Sequence, residues 1–310
     1  MIHVEHLHKN FGPVHAVDDV SFDVMRGEVV GLLGPNGAGK TTTMRILTGF
    51  LNADKGQATI DGIAVNDEHL RTRSLIGYLP ENAPVYVDLE VTEYLTYIAK
   101  LRSIPGKEIL PRVKEMVDTC GLGQVLGRTI GQLSKGYKQR VGLAAAMIHK
   151  PPVLILDEPT SGLDPNQIVE IRNLIKEIGR KRTVILSTHI LQEVEATCSR
   201  ALIISGGKLV GQGTIEELLH RGASRITYTI AARAPRARVE YDIAKLRDMK
   251  IGEWLSEPND ATQRCLLTSE NAADRSEDIF RWAVDSGLVL SELKKEAASL
   301  EEVFRELTQS

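Results

Sequence analysis

The stretch that most restricts this chain is GPNGAGKT at residues 34 to 41, entered from the apolar run VVGLLG at 29 to 34. A continuous apolar run closed by glycine reads as a strand buried on both faces, the kind found in parallel sheets. The segment from Lys40 to about Gly49 follows with helical spacing at Met44 and Leu47. A loop of the form G-x-x-x-x-G-K-[ST] between a strand and a helix is a phosphate cradle, and that context gives the motif its meaning. Its glycines let the backbone curl until successive N–H groups face inward. The helix N-terminus adds partial positive charge. Gly34, Pro35, Asn36, Gly37, Ala38, Gly39, Lys40, Thr41 and Thr42 are therefore the expected phosphate-binding residues. Lys40 is expected to reach the β- and γ-phosphates, and the Thr41 hydroxyl to ligate Mg²⁺. By itself the loop leaves kinases, GTPases, helicases and transport ATPases open.

Two further apolar runs, VLILD (153–157) and TVILST (183–188), each follow a helical segment. Strand and helix in alternation make a parallel α/β core, and ligands bind beyond the carboxyl ends of such strands. Four apolar residues deliver Asp157 to one of those ends, where it is placed to hold Mg²⁺ through water. Glu158, next in line, points elsewhere and is expected to polarise the water that attacks a γ-phosphate. Paired carboxylates after a buried strand are rarely structural, because unpaired buried charge is costly. His189 ends the third strand and is expected near the γ-phosphate, although a lone histidine there reads equally well as structural. Ser134 and Gly136, in LSKGYKQR, open a helical run with Val141, Ala144, Ala145 and Ile148 at core spacing. A hydroxyl, free N–H groups and the helix dipole make a second anion-binding end there, and a plain helix cap has the same letters.

Composition removes several alternatives. Over 310 residues the formal net charge is −3, so no overall field steers the chain toward nucleic acid. Cys120, Cys198 and Cys265 are widely spaced and form no CxxC pair, which points away from disulfide and zinc frameworks and toward a reducing compartment. No apolar run approaches the ~18 residues of a membrane span. The N-terminus, MIHVEHLHKNFG, lacks the apolar centre of a signal peptide.

Taken together the motifs resemble those of ATP-binding cassette (ABC) ATPases. GPNGAGKTT resembles their Walker A, LSKGYKQR their signature, VLILDEP their Walker B with its glutamate, SGLD (161–164) their D-loop, and TVILSTH their switch histidine. Order and spacing match over residues 2 to about 220. The resemblance implies an α/β fold, a P-loop NTPase core of ABC type over residues 1–220 with a helical subdomain at about 82–150. It also implies that Phe11 stacks on adenine. Two subunits, identical or related, would pack head to tail around two ATP, with Ser134 and Gly136 of one facing the Walker A of the other. Lys135 and Tyr137-Lys138 depart from the usual signature. That variant looks like the ATPase subunits of ABC-2 type exporters, similar to sodium, daunorubicin and gliding-motility systems.

The expected function is thus an ATP-binding and hydrolysing subunit of an exporter. It would sit peripherally on the cytoplasmic face of the membrane, using ATP and Mg²⁺ and driving a separate integral-membrane permease, with no nucleic-acid partner. A soluble ABC ATPase acting on nucleic acid or the ribosome is the alternative, although relatives of that kind usually carry two cassettes or a long coiled-coil insertion. A kinase is disfavoured by the signature and the histidine.

Beyond about residue 221 the character changes. RITYTIA, RCLLTS and VLSELKKE read as strands, and DIAKLRDM, DRSEDIFRWAVDSG and LEEVFRELT as helices. We expect a small α+β, ferredoxin-like extension over residues 221–310, closed by an apolar stripe of Leu300, Val303, Phe304 and Leu307.

One position stands apart. In IGYLPENAPVY (76–86) the apolar run breaks at Pro80, and the resemblance places Glu81 where the family's Q-loop normally has glutamine. A carboxylate can still ligate Mg²⁺, a hard cation that seeks oxygen. Glu81 is therefore expected to be a metal-side ligand and coupling residue, and the residues after it to touch the permease.

Overall fold

A computed structural model describes residues 1–67, 69–222, 226–269, 274–296 and 300–308. The chain divides into two compact units, Met1–Ile215 and Glu216–Ser310.

Two sheets share the core of the first unit. β1 (Ile2–Phe11), β2 (Val14–Val24), β4 (Lys55–Ile60) and β5 (Ile63–Ala64) make an antiparallel sheet of order β2-β1-β4-β5. The second sheet holds β3 (Val29–Leu33), β6 (Ile76–Leu79), β7 (Val153–Asp157), β8 (Thr183–Thr188), β9 (Arg200–Ser205) and β10 (Lys208–Thr214) in the order β10-β9-β3-β8-β7-β6. Five of these strands are parallel, and β10 returns antiparallel to β9 across Gly206-Gly207. β7 and β8 are buried at every residue, as continuous apolar runs demand.

α1 (Lys40–Leu47) buries Met44, Ile46 and Leu47 in one cluster with Val4, Phe22, Leu32 and Ile155, so both sheets pack through the helix that follows the phosphate loop. α2 (His69–Leu75) precedes β6. α3 (Val91–Leu101), α4 (Gly106–Cys120) and α5 (Lys135–Met147) pack on one another as a helical layer, and α5 also meets β6. Pro105 is the N-cap of α4, and Gly121 ends it in the left-handed region at φ 65°. α6 (Pro165–Gly179) starts with Pro165 in its first turn and Asp164 as N-cap, whose Oδ1 accepts from the Gln167 N–H at 2.9 Å. α7 (Leu191–Thr197) links β8 to β9.

The second unit begins in α8 (Ile215–Gly222). Then come β11 (Ile226–Ala232), α9 (Arg236–Ile243), β12 (Met249–Trp254), β13 (Gln263–Ser269), α10 (Ser276–Asp285), β14 (Leu290–Lys295) and α11 (Leu300–Thr308). The sheet order β12-β13-β11-β14, all antiparallel, with α9 and α10 as crossovers, is the ferredoxin-like arrangement. Val239, Ile243, Ile279 and Trp282 close one core with Tyr228, Ile230 and Leu267.

Two local expectations fail here. The helix read at DIAKLRDM, residues 242–249, lies earlier, because Pro235 caps a helix that ends at Ile243. The arginine-rich segment was too polar to show a period, yet Val239, Asp242 and Ile243 turn inward while Arg236 stacks over Trp254 at 4.4 Å. Met249, expected to end that helix, instead begins β12. This edge strand buries only its first residue and so shows no alternation. In the closing helix Leu300 and Val303 are buried and Phe304 is half-buried. Arg225, which begins the expected strand RITYTIA, lies outside the described residues.

Candidate functional site

Parallel register brings the chemistry together. Leu33 pairs with Thr188, Asp157 with Ser187, and Leu79 with Leu156. The loops that leave β3, β8, β7 and β6 therefore emerge side by side at the carboxyl edge of one sheet. They border a cavity of about 470 Å³ lined by residues 36–42 with Glu81, Glu158, Ser161 and His189, and by Val14 and Ala16 from the smaller sheet.

The phosphate loop fits an anion. α1 has no side-chain hydrogen bond at its N-cap and no acidic residue in its first turn, so none of its own side chains caps or offsets its positive end. Gly39, the N-cap, has φ 108°, and a Cβ there would collide with the carbonyl oxygen of Ala16. A Cβ at Gly34 would strike the carbonyl of Ile204. Both glycines are thus set by close backbone approach. We expect Gly39→Ala to lower the melting temperature and to abolish nucleotide binding, measured by thermal unfolding with and without ATP. An ATP-dependent rise in melting temperature equal to wild type would contradict it.

Lys40 is 6% exposed, and its Nζ donates to the carbonyls of Gly34 (2.7 Å) and Pro35 (3.2 Å). It also lies 3.5 Å from Glu158 Oε1. Glu158 is itself buried and sits in the left-handed region at φ 47°, an uncommon conformation for a side chain that is not glycine. Its N–H donates to Ser187 Oγ at 3.0 Å, and its Oε2 lies 3.0 Å from His189 Nδ1. Such strain persists where the surroundings over-determine it, commonly at functional sites.

Asp157 lies beneath the loop at 2% exposure. Its Oδ1 accepts from Thr41 Oγ1 (3.2 Å) and Ser187 Oγ (2.6 Å). A hydroxyl and a carboxylate side by side are oxygen donors suited to a hard cation. Glu81 lines the same cavity, and its Oε1 accepts from Ser161 Oγ at 3.1 Å. Among the described residues no group of three or more His, Cys, Asp or Glu is arranged to hold a metal. Thr41, Asp157 and Glu81 suit an ion such as Mg²⁺, which usually keeps waters and substrate oxygens as its other ligands.

Of the expected residues, Gly34, Pro35, Asp157, Phe11, Ser134 and Gly136 do not line this cavity; Ser134 and Gly136 are the two expected to face a second subunit. Phe11 is 49% exposed beneath the Lys9 ammonium and is not among the residues lining the cavity; Val14, its cross-strand partner, is. Ser134 caps α5 by accepting from the Tyr137 N–H at 3.4 Å, and neither it nor Gly136 lines the cavity. Gly136 backs onto Gln167 of α6, and the Lys135 ammonium packs against Gly162. The signature segment thus leans on the loop after β7 within one chain.

Sequence reasoning passed over Ser187, which ties Asp157 to the Glu158 backbone, and Thr160, Thr188 and Glu193 behind them. Hydroxyls at the end of TVILST were the available signal. The cysteines play no part, since burial pushes the thiols of Cys120, Cys198 and Cys265 up to about 12, far from thiolate at neutral pH.

Residues 17–161 match the family model described as ABC transporter. An uncharacterized ABC transporter ATP-binding protein of Bacillus subtilis (strain 168), YxlF, is 32% identical over 98% of both chains. The linearmycin resistance ATP-binding protein LnrL of the same organism is 36% identical over 71% of each chain. A dimeric post-hydrolysis state of the ATP-binding cassette MJ0796, bound to ADP and Pi, is 25% identical and superposes with a TM-score of 0.64 over 69% of this chain and 99% of that one.

Proposed function

Because this chain belongs to the ABC transporter ATP-binding family, we propose that it is the ATP-hydrolysing subunit of an ABC-2 type exporter, bound peripherally to a separate permease at the cytoplasmic face of the membrane. The observation that carries this reading is the meeting of Lys40, Asp157, Glu158 and His189 at the ends of adjacent parallel strands. Likeness to a linearmycin resistance protein supports export. Among the described residues no helix is long and apolar enough to cross a membrane.

The residues divide the work by position. The N-terminus of α1 and the Lys40 ammonium hold the β- and γ-phosphates of ATP. Thr41, Asp157 and Glu81 would hold Mg²⁺. When bound, Mg²⁺ offsets phosphate charge and orients the terminal phosphate. Glu158 takes the proton from the attacking water, and His189, against Oε2, fixes the carboxylate's direction. With Ser134 and Gly136 outside the cavity of their own chain, a second subunit supplies that helix start to cover the γ-phosphate. ATP then joins the two subunits and hydrolysis parts them.

Glu81 connects this chemistry to the permease. Past it lie Tyr86 and Val87, both exposed, with Tyr86 edge-on to Tyr94 and Tyr97 at 6.0 and 5.6 Å between ring centroids. We place the permease contact on this aromatic ledge. Glu81→Gln should retain most hydrolysis and shift the half-saturating Mg²⁺ concentration by about threefold, since one anionic ligand becomes neutral. An unchanged Mg²⁺ response together with full activity in Glu81→Ala would return Glu81 to an ordinary surface role.

Fractionation tests the reading as a whole. The chain should enter the membrane fraction when co-produced with its permease and leave it when the permease is omitted. Recovery with ribosomes, whether or not permease is present, would favour the soluble alternative.

A further inference from the structure

Behind the Glu158–His189 contact sits a carboxylate that the mechanism above does not use. Glu193, in the first turn of α7, is 3% exposed. Its Oε1 accepts from Thr160 Oγ1 at 2.6 Å and its Oε2 from Thr188 Oγ1 at 2.8 Å. Both threonines are buried, Thr188 completely. Thr188 Oγ1 also accepts from the Ile190 N–H at 3.1 Å, which turns its own proton toward Glu193.

A carboxylate this deep is costly unless its hydrogen bonds are of high quality. Here two short bonds from hydroxyls meet that demand, and each hydroxyl is tied to one side of the site. Thr160 is two residues beyond Glu158 on the loop after β7. Thr188 directly precedes His189 at the end of β8. The loop that carries Glu158 and the strand end that carries His189 are thus fastened from behind to the same side chain.

We propose that Glu193 is a positioning residue for hydrolysis, clamping the loop that carries Glu158 to the strand end that carries His189. The proposal rests on the ATPase reading above. Glutamine in its place offers one accepting oxygen and one donating amide, so one threonine goes on donating while the other hydroxyl must reverse its role and accept from the amide. The clamp is then remade with a reoriented, neutral bond in place of a charge-assisted one, and a displacement of about 1 Å at a reacting group is enough to slow turnover strongly.

The test measures ATP hydrolysis by purified full-length protein. Glu193→Gln should lower kcat by about ten- to a hundredfold, with KM within about twofold of wild type. In a His189→Ala background, where the contact it supports is already absent, Glu193→Gln should add less than about threefold. Thr160→Val is the second variant, to be used if Glu193→Gln does not fold, and it should show the same split between kcat and KM. Full kcat in Glu193→Gln, or effects of Glu193→Gln and His189→Ala that multiply, would overturn the proposal. A wild-type protein that does not hydrolyse ATP would instead overturn the ATPase reading, so the two failures are distinct.

Discussion

Glu158→Gln will bind ATP nearly as tightly as wild type and hydrolyse it about 10²- to 10⁴-fold more slowly, the span that a positioned general base contributes. The substitution keeps shape and removes basicity. Glu158 is buried, with Oε1 3.5 Å from Lys40 and Oε2 3.0 Å from His189, so the carboxylate is aimed by contacts on both oxygens. Glutamine fills the same space and tolerates the same φ of 47° no worse. The phosphate loop, Thr41 and Asp157 are untouched, which preserves binding. With hydrolysis blocked, the ATP-joined pair of subunits should persist, and size-exclusion chromatography in ATP should show a dimer that wild type loses within its turnover time. Normal turnover in this variant would remove Glu158 from its assigned role.

Lys40→Ala will weaken ATP binding by about ten- to a hundredfold, as expected when a charge-assisted hydrogen bond worth ~1.5–3 kcal/mol is lost. The loss has two parts. The ammonium that would meet the phosphates is gone. The tie that Lys40 makes between the carbonyls of Gly34 and Pro35 is lost as well, although the Pro35 carbonyl keeps the Ala38 N–H as a donor. Glu158 is also left with His189 as its one ionisable neighbour among the contacts described. Equilibrium titration with labelled ATP reads the effect directly, and an affinity equal to wild type would contradict the cradle.

The parts of the site written in one local stretch were legible before the fold was known. Lys40 and Thr41 sit at fixed offsets within a strand–loop–helix unit. Asp157 and Glu158 are found by counting apolar residues to a strand end. Parallel register then does what sequence can only anticipate, setting Asp157 opposite Ser187 and Leu33 opposite Thr188. What stayed hidden depends on side chains far apart in the chain. Ser161 reaches Glu81 and Thr160 reaches Glu193 through bonds that no local spacing encodes. Phe11 was placed by family likeness alone; it lies exposed under Lys9 at the end of β1, paired with Val14, which lines the cavity. In the second unit α9 and β12 escaped because both are short, polar and half-solvated, where a hydrophobic period is weakest.

In the proposed function hydrolysis needs a second subunit to complete the site, with Ser134 and Gly136 outside the cavity of their own chain. The direct measurement is phosphate release per chain by the wild-type protein at saturating Mg²⁺ and ATP, across a wide range of protein concentration. A specific rate that rises with concentration and levels off as the dimer saturates is the predicted result. A specific rate that is the same at every concentration, with the protein monomeric throughout, would contradict it.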